Sequence, residues 1–497
     1  MNDVCLLLEG TYPYVAGGVS TWVYDLIKRL PDKTFSIVYL GAHRQAAKKM
    51  HYEIPSNVVD FRENYLFDYF VEKEKGNAKP GKHDYRIIEE FLVAMRQGDT
   101  SHFNDLLRTV GDRATRSIDL YDLAHSRQGW EIVEKLYLRE DPEVSFIDYF
   151  WTWRFLYLPF FSLLRTDIPP SSVYHCASTG YAGVLGVMGK LRYKRPLILT
   201  EHGIYTRERK MEISRADWIY SDAVDQLKVR EGGDFFKQWW IDVFSFFSRL
   251  AYLHADEIIT LYDGNRKIQI EEGAPAVKTK IMPNGVEFNQ LSSLTRQKSE
   301  TDPWMVGFAG RVVPIKDVKT FIVACRRIYE ELKNVRFLIM GPTDEDEEYY
   351  HECVLLAQME SIGDAVIFTG KIDLKEYYPK LDVLVLTSIS EAQPIVILEA
   401  GACGLPVVAT NVGACAELLY GGSPDDRLLG ASGVITPICN PEATAQAVIR
   451  ILRDRALSKQ MGEIGKKRIG RYYQMDDMIA NYQKLYTQYG VKMLWLA

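Results

Sequence analysis

Two glutamates, Glu391 and Glu399, stand eight positions apart in the run E-A-Q-P-I-V-I-L-E. The run follows a short apolar stretch, Asp382-Val-Leu-Val-Leu-Thr387, and leads into Ala400-Gly-Ala-Cys-Gly-Leu-Pro406. A strand followed by a helix would set one carboxylate at the strand's mouth and the other about two helical turns on, both facing one crevice. Turn residues and free backbone N–H groups between them would favour a bound anion at the helix N-terminus. The other reading is a helix face with solvated charge. A second group lies in Gly307-Phe-Ala-Gly-Arg-Val-Val-Pro-Ile-Lys-Asp317, where Arg311 and Lys316 stand five apart in a loop that feeds a helix. Two fixed cations there make a diphosphate site, with arginine able to grip it in a fork. A departing diphosphate gains negative charge, which preorganised cations stabilise. A salt-bridged surface loop is the alternative.

The first half offers weaker signals. Its first strand ends in Glu9-Gly-Thr-Tyr-Pro-Tyr-Val-Ala-Gly-Gly-Val-Ser20, with a helix beginning near Thr21. Gly17 and Gly18 allow close approach of a ligand, and the helix start offers N–H donors to a phosphate, although a plain turn explains paired glycines equally. The motif is not G-x-G-x-x-G, and no acid follows the second strand, so a nicotinamide dehydrogenase lacks its fingerprint. His202, in Thr200-Glu-His-Gly203, follows a strand; it is either a ligand contact at the sheet's carboxyl edge or a hydrogen-bonded structural residue. Arg207 and Arg209 would meet an acceptor or pair with Glu208 and Glu212.

Positioning these groups requires parallel sheets. Apolar runs recur at Val4–Leu8, Phe35–Leu40, Val173–Cys176, Leu197–Thr200, Ile258–Leu261 and Lys280–Met282, and again at Trp304–Ala309, Arg336–Met340, Val366–Thr369, Val383–Thr387, Pro406–Ala409 and Val434–Thr436. Continuous apolar strands alternating with helical stretches predict α/β domains with both sheet faces covered. The expected organisation is a Rossmann-like domain over 1–288, with a mostly helical insertion over about 43–170, and a second over 303–475. The polar stretch Asn289–Asp302 reads as the linker. The segment 476–497 reads as a helix packing back on the first domain. Before it, Lys466, Lys467, Arg468 and Arg471 read as a solvated helix face, with an anionic membrane surface as the alternative.

With 497 residues, 47% apolar and 25% charged, the composition is that of a globular protein of two or three domains. The net charge of -6 argues against a nucleic-acid partner. Seven scattered cysteines without C-x-x-C, and a start straight into a strand, predict reduced thiols and a cytoplasmic location. The stretch Phe146–Phe161 reads as a buried aromatic helix rather than a membrane-surface or acceptor-binding element. Asp344-Glu-Asp346 is a literal D-x-D, read as an acidic helix start rather than a metal site.

In order, G-G-V, E-H-G, Pro283-Asn-Gly-Val286, F-A-G-R-x4-K-D and E-x7-E resemble glycosyltransferase family four, of GT-B fold, over nearly the whole chain. That resemblance implies two doubly wound sheets facing across a cleft, a UDP-sugar donor, retention at the anomeric carbon and no metal or other cofactor. It implies that Gly17 and Gly18 face the donor phosphate and sugar, and that His202 contacts the transferred sugar. Arg311 and Lys316 would hold the diphosphate; Glu391, with the backbone of Gln393, Pro394 and Ile395, would hold the sugar; Glu399 would hold the ribose; and Lys371 and Ile372 would flank the base. The partners implied are a polysaccharide or primer acceptor and export proteins at the inner face of the bacterial inner membrane. A non-catalytic nucleotide-binding subunit of a membrane synthase is the rival. Here Glu391-Ala-Gln-Pro394 replaces the family's E-G-F-P or E-G-x-P, which leaves glucose, N-acetylglucosamine and N-acetylgalactosamine open as donor sugars.

Overall fold

The computed structural model describes residues 1–44, 49–68, 80–140, 144–216, 232–299 and 301–491. The chain divides into two compact units. Unit 1 comprises Met1–Thr260, Arg266–Lys280 and the chain from Tyr482 onward; unit 2 comprises Leu261–Asn265 and Ile281–Asn481.

Unit 1 is built on seven strands: β1 (Asn2–Glu9), β2 (Phe35–Gly41), β3 (Val58–Tyr65), β4 (Ser171–Cys176), β5 (Leu197–Glu201), β6 (Glu257–Thr260) and β7 (Thr279–Ile281). Their order is β3-β2-β1-β4-β5-β6-β7, with the pairs from β3 to β6 parallel. All seven residues of β2 are buried, as expected of a strand covered on both faces. The helix Tyr181–Tyr193 packs on β1, β4 and β5. Gly186 and Gly189 permit this, since a Cβ there would stand 2.6 Å from Leu197 and 2.8 Å from Tyr174.

The stretch 43–170 differs from the mostly helical reading, because β3 lies within it and pairs along β2. Its sequence V-V-D-F-R-E-N-Y lacks a continuous apolar run because β3 is an edge strand, with Arg62 paired to Asp60 at 2.8 Å. The described helices there, chiefly Lys82–Arg96, Arg127–Glu140 and Phe146–Leu163, share one core with the sheet. Phe160 stacks between Phe91 (centroids 5.8 Å apart) and Phe247 (5.2 Å). The helix Phe146–Leu163 buries Tyr149, Trp153 and Tyr157, while Ile147, Trp151 and Phe155 form an exposed stripe along it. Among the described residues, no helix is long and apolar enough to cross a membrane.

Unit 2 has six parallel strands: β8 (Trp304–Ala309), β9 (Val335–Met340), β10 (Val366–Gly370), β11 (Val383–Leu386), β12 (Val407–Thr410) and β13 (Gly433–Thr436). Their order is β10-β9-β8-β11-β12-β13, with an apolar cluster on each face. The expected linker Asn289–Asp302 begins inside the helix Phe288–Ser292. Further along, Arg296 and Lys298 both pair with buried Asp382. The polar residues that made the segment look like a linker thus neutralise a carboxylate inside unit 2.

The last described helix, Met475–Val491, returns the chain to unit 1. There Tyr486 Oη lies 2.7 Å from His175 Nδ1, and Tyr482 Oη lies 3.1 Å from Thr200 Oγ1. Residues 492–497 of the expected segment lie outside the described residues. One member of the basic cluster departs from a solvated face: Arg468 is fully buried. All seven cysteines are free, and five are buried.

Candidate active site

In unit 2 the strand order reverses between β8 and β11, so the loops following these two strands leave the sheet side by side. The first loop carries Arg311 and Lys316; the second carries Glu391. Their backbones are stitched together. Ile389 N–H donates to the Ile315 carbonyl at 2.9 Å, and Thr387 Oγ1 donates to the Asp317 carbonyl at 2.8 Å. Asp317 itself sits at φ 48° and caps the helix Val318–Leu332 by accepting from Thr320 N–H. On this frame Lys316 Nζ comes 2.5 Å from Glu391 Oε1, which also accepts from Ser388 Oγ at 2.7 Å. Both charged side chains are largely buried, which strengthens their attraction. Arg311 is more exposed and pairs with Glu345 at 2.5 Å.

Two glycines outside the motifs make these loops possible. At Gly413 (φ +51°) a Cβ would come 2.1 Å from the Glu391 carbonyl oxygen. At Gly341 it would come 2.0 Å from the Gly310 carbonyl oxygen. Both are backbone collisions that no rotamer relieves.

The rest of the glutamate run is distributed differently from its sequence spacing. Pro394 caps the helix Ile395–Ala402, which carries Glu399. Glu399 Oε2 accepts from Tyr378 Oη at 2.6 Å, and burial raises its carboxyl above the usual range. The Gln393 side chain is turned back, its Oε1 accepting Asn284 N–H at 2.7 Å. It therefore anchors the P-N-G-V element and leaves only its backbone toward the loop. Gly370 (φ +66°) ends β10, followed by exposed Lys371 and half-buried Ile372. The D-x-D sequence is a helix start: Asp346 caps Glu347–Met359 by accepting from Tyr349 N–H. Among the described residues, no group of three or more His, Cys, Asp or Glu is placed to hold a metal.

In unit 1 the order reverses between β1 and β4. Gly17 caps the helix Gly18–Lys28, and a Cβ at Gly17 or Gly18 would meet nothing within 4 Å. His202 follows β5 and is buried against Trp22, ring centroids 4.8 Å apart. Its neighbour Glu201 is the centre of a buried network, accepting from Tyr252 Oη, Gln269 Nε2 and Tyr205 N–H at 2.7–3.0 Å. Arg209 pairs with Glu212 at 2.8 Å. Burial pushes the His202 imidazole down to about 4, so the ring is neutral above that and offers a hydrogen bond, not a charge. Its NMR resonances are expected to stay flat between about pH 5.5 and 8, and a midpoint near the free value of about 6.5 would show that the ring reaches water.

Of the groups foreseen from sequence, the structure brings together Arg311, Lys316 and Glu391 on adjoining loops, with Glu399 on the helix that follows. Gly17, Gly18 and His202 belong to unit 1. Ser388, Tyr378, Gly341 and Gly413 were not foreseen, and of these only the glycines carry a local signal, each following a short strand or its turn; Asn284 lies in the P-N-G-V element, but its bond to Gln393 was not foreseen.

Residues 2–277 match the family described as Domain of unknown function (DUF3492), and residues 293–468 match Glycosyl transferases group 1. Among curated relatives, the chain is 26% identical over 175 residues to N-acetyl-alpha-D-glucosaminyl L-malate synthase of Bacillus anthracis, covering 35% of this chain and 42% of that one. It is 25% identical over 290 residues to D-inositol 3-phosphate glycosyltransferase of Kribbella flavida, covering 57% and 63%. The chain thus spans about half the length of these relatives. Among solved structures, HepE of Anabaena in complex with UDP and glucose aligns over 98% of this chain and 100% of its own, with TM-score 0.57 and 14% identity. Sucrose-phosphate synthase of Thermosynechococcus elongatus aligns over 98% of each chain, with TM-score 0.57 and 17% identity. Both likenesses concern the fold, which is of the GT-B type. With more than half of its length matched, the chain belongs to the family described as Domain of unknown function (DUF3492), joined to a segment that matches Glycosyl transferases group 1.

Proposed function

We propose that the chain is a retaining glycosyltransferase that moves a hexose or N-acetylhexosamine from a UDP-sugar to a growing exopolysaccharide, without a metal ion. The observation that carries this reading is the meeting of Lys316 and Glu391, with Arg311 on the same loop, at the point where unit 2 reverses its strand order. Arg311 and Lys316 hold the diphosphate and stabilise its charge as it leaves. Glu391 accepts hydroxyls of the donor sugar beside the backbone of Gln393, Pro394 and Ile395. Glu399 takes the ribose, and Lys371 and Ile372 flank the base. The family resemblance assigns contacts with donor phosphate and sugar to Gly17, Gly18 and neutral His202, all within unit 1. The bond from the anomeric carbon to the phosphate oxygen breaks while a bond to the acceptor oxygen forms on the same face. The acceptor proton passes to the leaving phosphate oxygen, so UDP departs and no protein base is needed. The UDP bound by HepE supports the choice of nucleotide.

The wording L-L-E-G-T-Y-P-Y-V-x-G-G-V-S and T-E-H-G-I-Y-T-R-E-R resembles PelF, the glycosyltransferase of Pel exopolysaccharide synthesis. On that resemblance the polymer is Pel-type biofilm matrix, and the protein works in the cytoplasm, recruited to inner-membrane Pel proteins. Calorimetric titration with UDP, ADP, GDP and NAD tests the donor site. UDP is expected to bind without metal, roughly tenfold or more weaker in Arg311→Ala, which loses a charge-assisted contact. Absence of UDP binding, or binding only with a divalent ion, would sink the reading.

A further inference from the structure

The ring of His202 packs on one indole in unit 1. Trp22 lies on the helix Gly18–Lys28 and is 5% exposed, against 7% for His202. It meets three rings: His202 at 4.8 Å between centroids, Tyr482 at 5.3 Å and His175 at 5.7 Å. The interplanar angles, 69–89°, are the edge-to-face arrangement that aromatic pairs favour. Among the described residues the indole N–H has no hydrogen-bond partner, so ring contacts orient it.

Trp22 also occupies a telling position. It stands four residues after Gly18 on the same helix face, and helical side chains lean toward the N-terminus. His202 lies in the turn after β5, which Glu201 ties down by accepting from Tyr205 N–H at 3.0 Å. The indole therefore bridges the helix start at Gly18 and the turn that carries His202. Its other two neighbours are fixed in turn. Thr200 Oγ1 lies 3.1 Å from Tyr482 Oη and 2.8 Å from His175 Nε2, and Tyr486 Oη lies 2.7 Å from His175 Nδ1. Through these bonds the helix Met475–Val491 holds both rings that Trp22 rests on.

We infer that Trp22 is a positioning residue, whose indole sets the orientation of the His202 ring, and that Tyr482 of the last helix keeps the indole in place. That His202 meets a donor sugar rests on the transferase reading; the packing does not. The indole covers the imidazole without offering it a counter-charge. The other titratable groups packed here agree with a neutral ring. Burial, with His202 beside it, pushes His175 down to about 3, and burial pushes the Tyr482 phenol up. The Glu201 carboxylate is engaged by Tyr252 and Gln269. A ring turned by an ångström at its reacting edge can cost about 10²-fold in rate.

Trp22→Leu and Trp22→Phe in the full chain test this. The first keeps the site apolar but loses the ring; the second keeps a ring edge. In Trp22→Leu, NMR should show His202 titrating about one unit higher or more, because water reaches an imidazole that burial holds down to about 4. UDP release is followed from UDP-glucose, UDP-N-acetylglucosamine or UDP-N-acetylgalactosamine, whichever the unaltered protein turns over. Its kcat should fall roughly 10–100-fold, while UDP affinity by calorimetry changes less than about threefold. Trp22→Phe should recover most of both effects. Tyr482→Leu should move the titration the same way by less, and Tyr482→Phe should leave it in place. Tyr482→Leu carries the test where Trp22→Leu does not fold. A His202 titration that stays in place overturns the inference, even if turnover falls, because plain destabilisation would do that. If the unaltered protein neither binds UDP nor releases it, the transferase reading fails, and the titration alone decides the positioning.

Discussion

Lys316→Met is expected to lower turnover by roughly 10²–10³-fold, the usual loss when one preorganised donor to a developing negative charge is removed. The fold should survive, because the loop is held by the Ile389 N–H and the Thr387 hydroxyl, contacts that do not involve the ammonium. Glu391→Gln should behave differently. In the structure the Lys316 ammonium lies 2.5 Å from Glu391, so a diphosphate must compete with that carboxylate for it. Removing the negative charge frees Lys316, and UDP alone should bind about tenfold tighter, equivalent to about 1.4 kcal/mol. Turnover should nevertheless collapse, because the neutral amide offers the sugar hydroxyls one weaker acceptor in place of a carboxylate's two charged oxygens. Calorimetry with UDP and a UDP-release assay therefore move in opposite directions for one substitution. If both fall together, Glu391 is supporting the loop rather than the sugar, and its place in the site is wrong.

How much of this was legible in the sequence depends on how local each feature is. The strands of unit 2 stand out because a buried parallel strand is a continuous apolar run, and W-M-V-G-F-A and V-L-V-L declare themselves. Edge strand β3 does not, since half its faces meet solvent and its charges break the run. The cations of the F-A-G-R-x4-K-D loop and the first glutamate were readable as chemistry. Their meeting was implied by the family resemblance and not by spacing, because it follows from the strand order that makes β8 and β11 neighbours. Gln393 shows the limit most clearly. Its departure from the family wording suggested an altered sugar pocket, whereas the side chain is committed to Asn284, 109 positions away.

Arg468 is the residue whose loss should cost the fold most. In sequence it sits in K-K-R, beside Lys466, which donates to the Ser292 carbonyl from a half-buried position. Helical phase separates the two: Arg468 shares the face of Met461, Gly465 and Ile469, which is turned inward. There its guanidinium binds the Asp426 carboxylate at 2.7 Å and the Ser432 hydroxyl at 3.0 Å. It also donates to the carbonyls of Leu419, Asp426 and Gly430. One side chain thus ties the end of the helix Cys415–Tyr420, the short helix Pro424–Arg427 and the approach to β13. Neither ion reaches water: the two side chains are 0% and 3% exposed. Arg468→Met strands a buried carboxylate and several carbonyls, so a loss of about 3–5 kcal/mol is expected. In scanning calorimetry of the full chain, the transition contributed by unit 2 should fall by roughly 6–20 °C. Asp426→Leu added to Arg468→Met should recover part of that loss by removing the stranded charge, but not all, because the carbonyls still lack a donor. A double variant no better than Arg468→Met would mean that the carbonyl contacts, not the ion pair, carry the stability. An Arg468→Met variant with an unchanged transition would place Arg468 back on a solvated face, with Asp426 free to reach water.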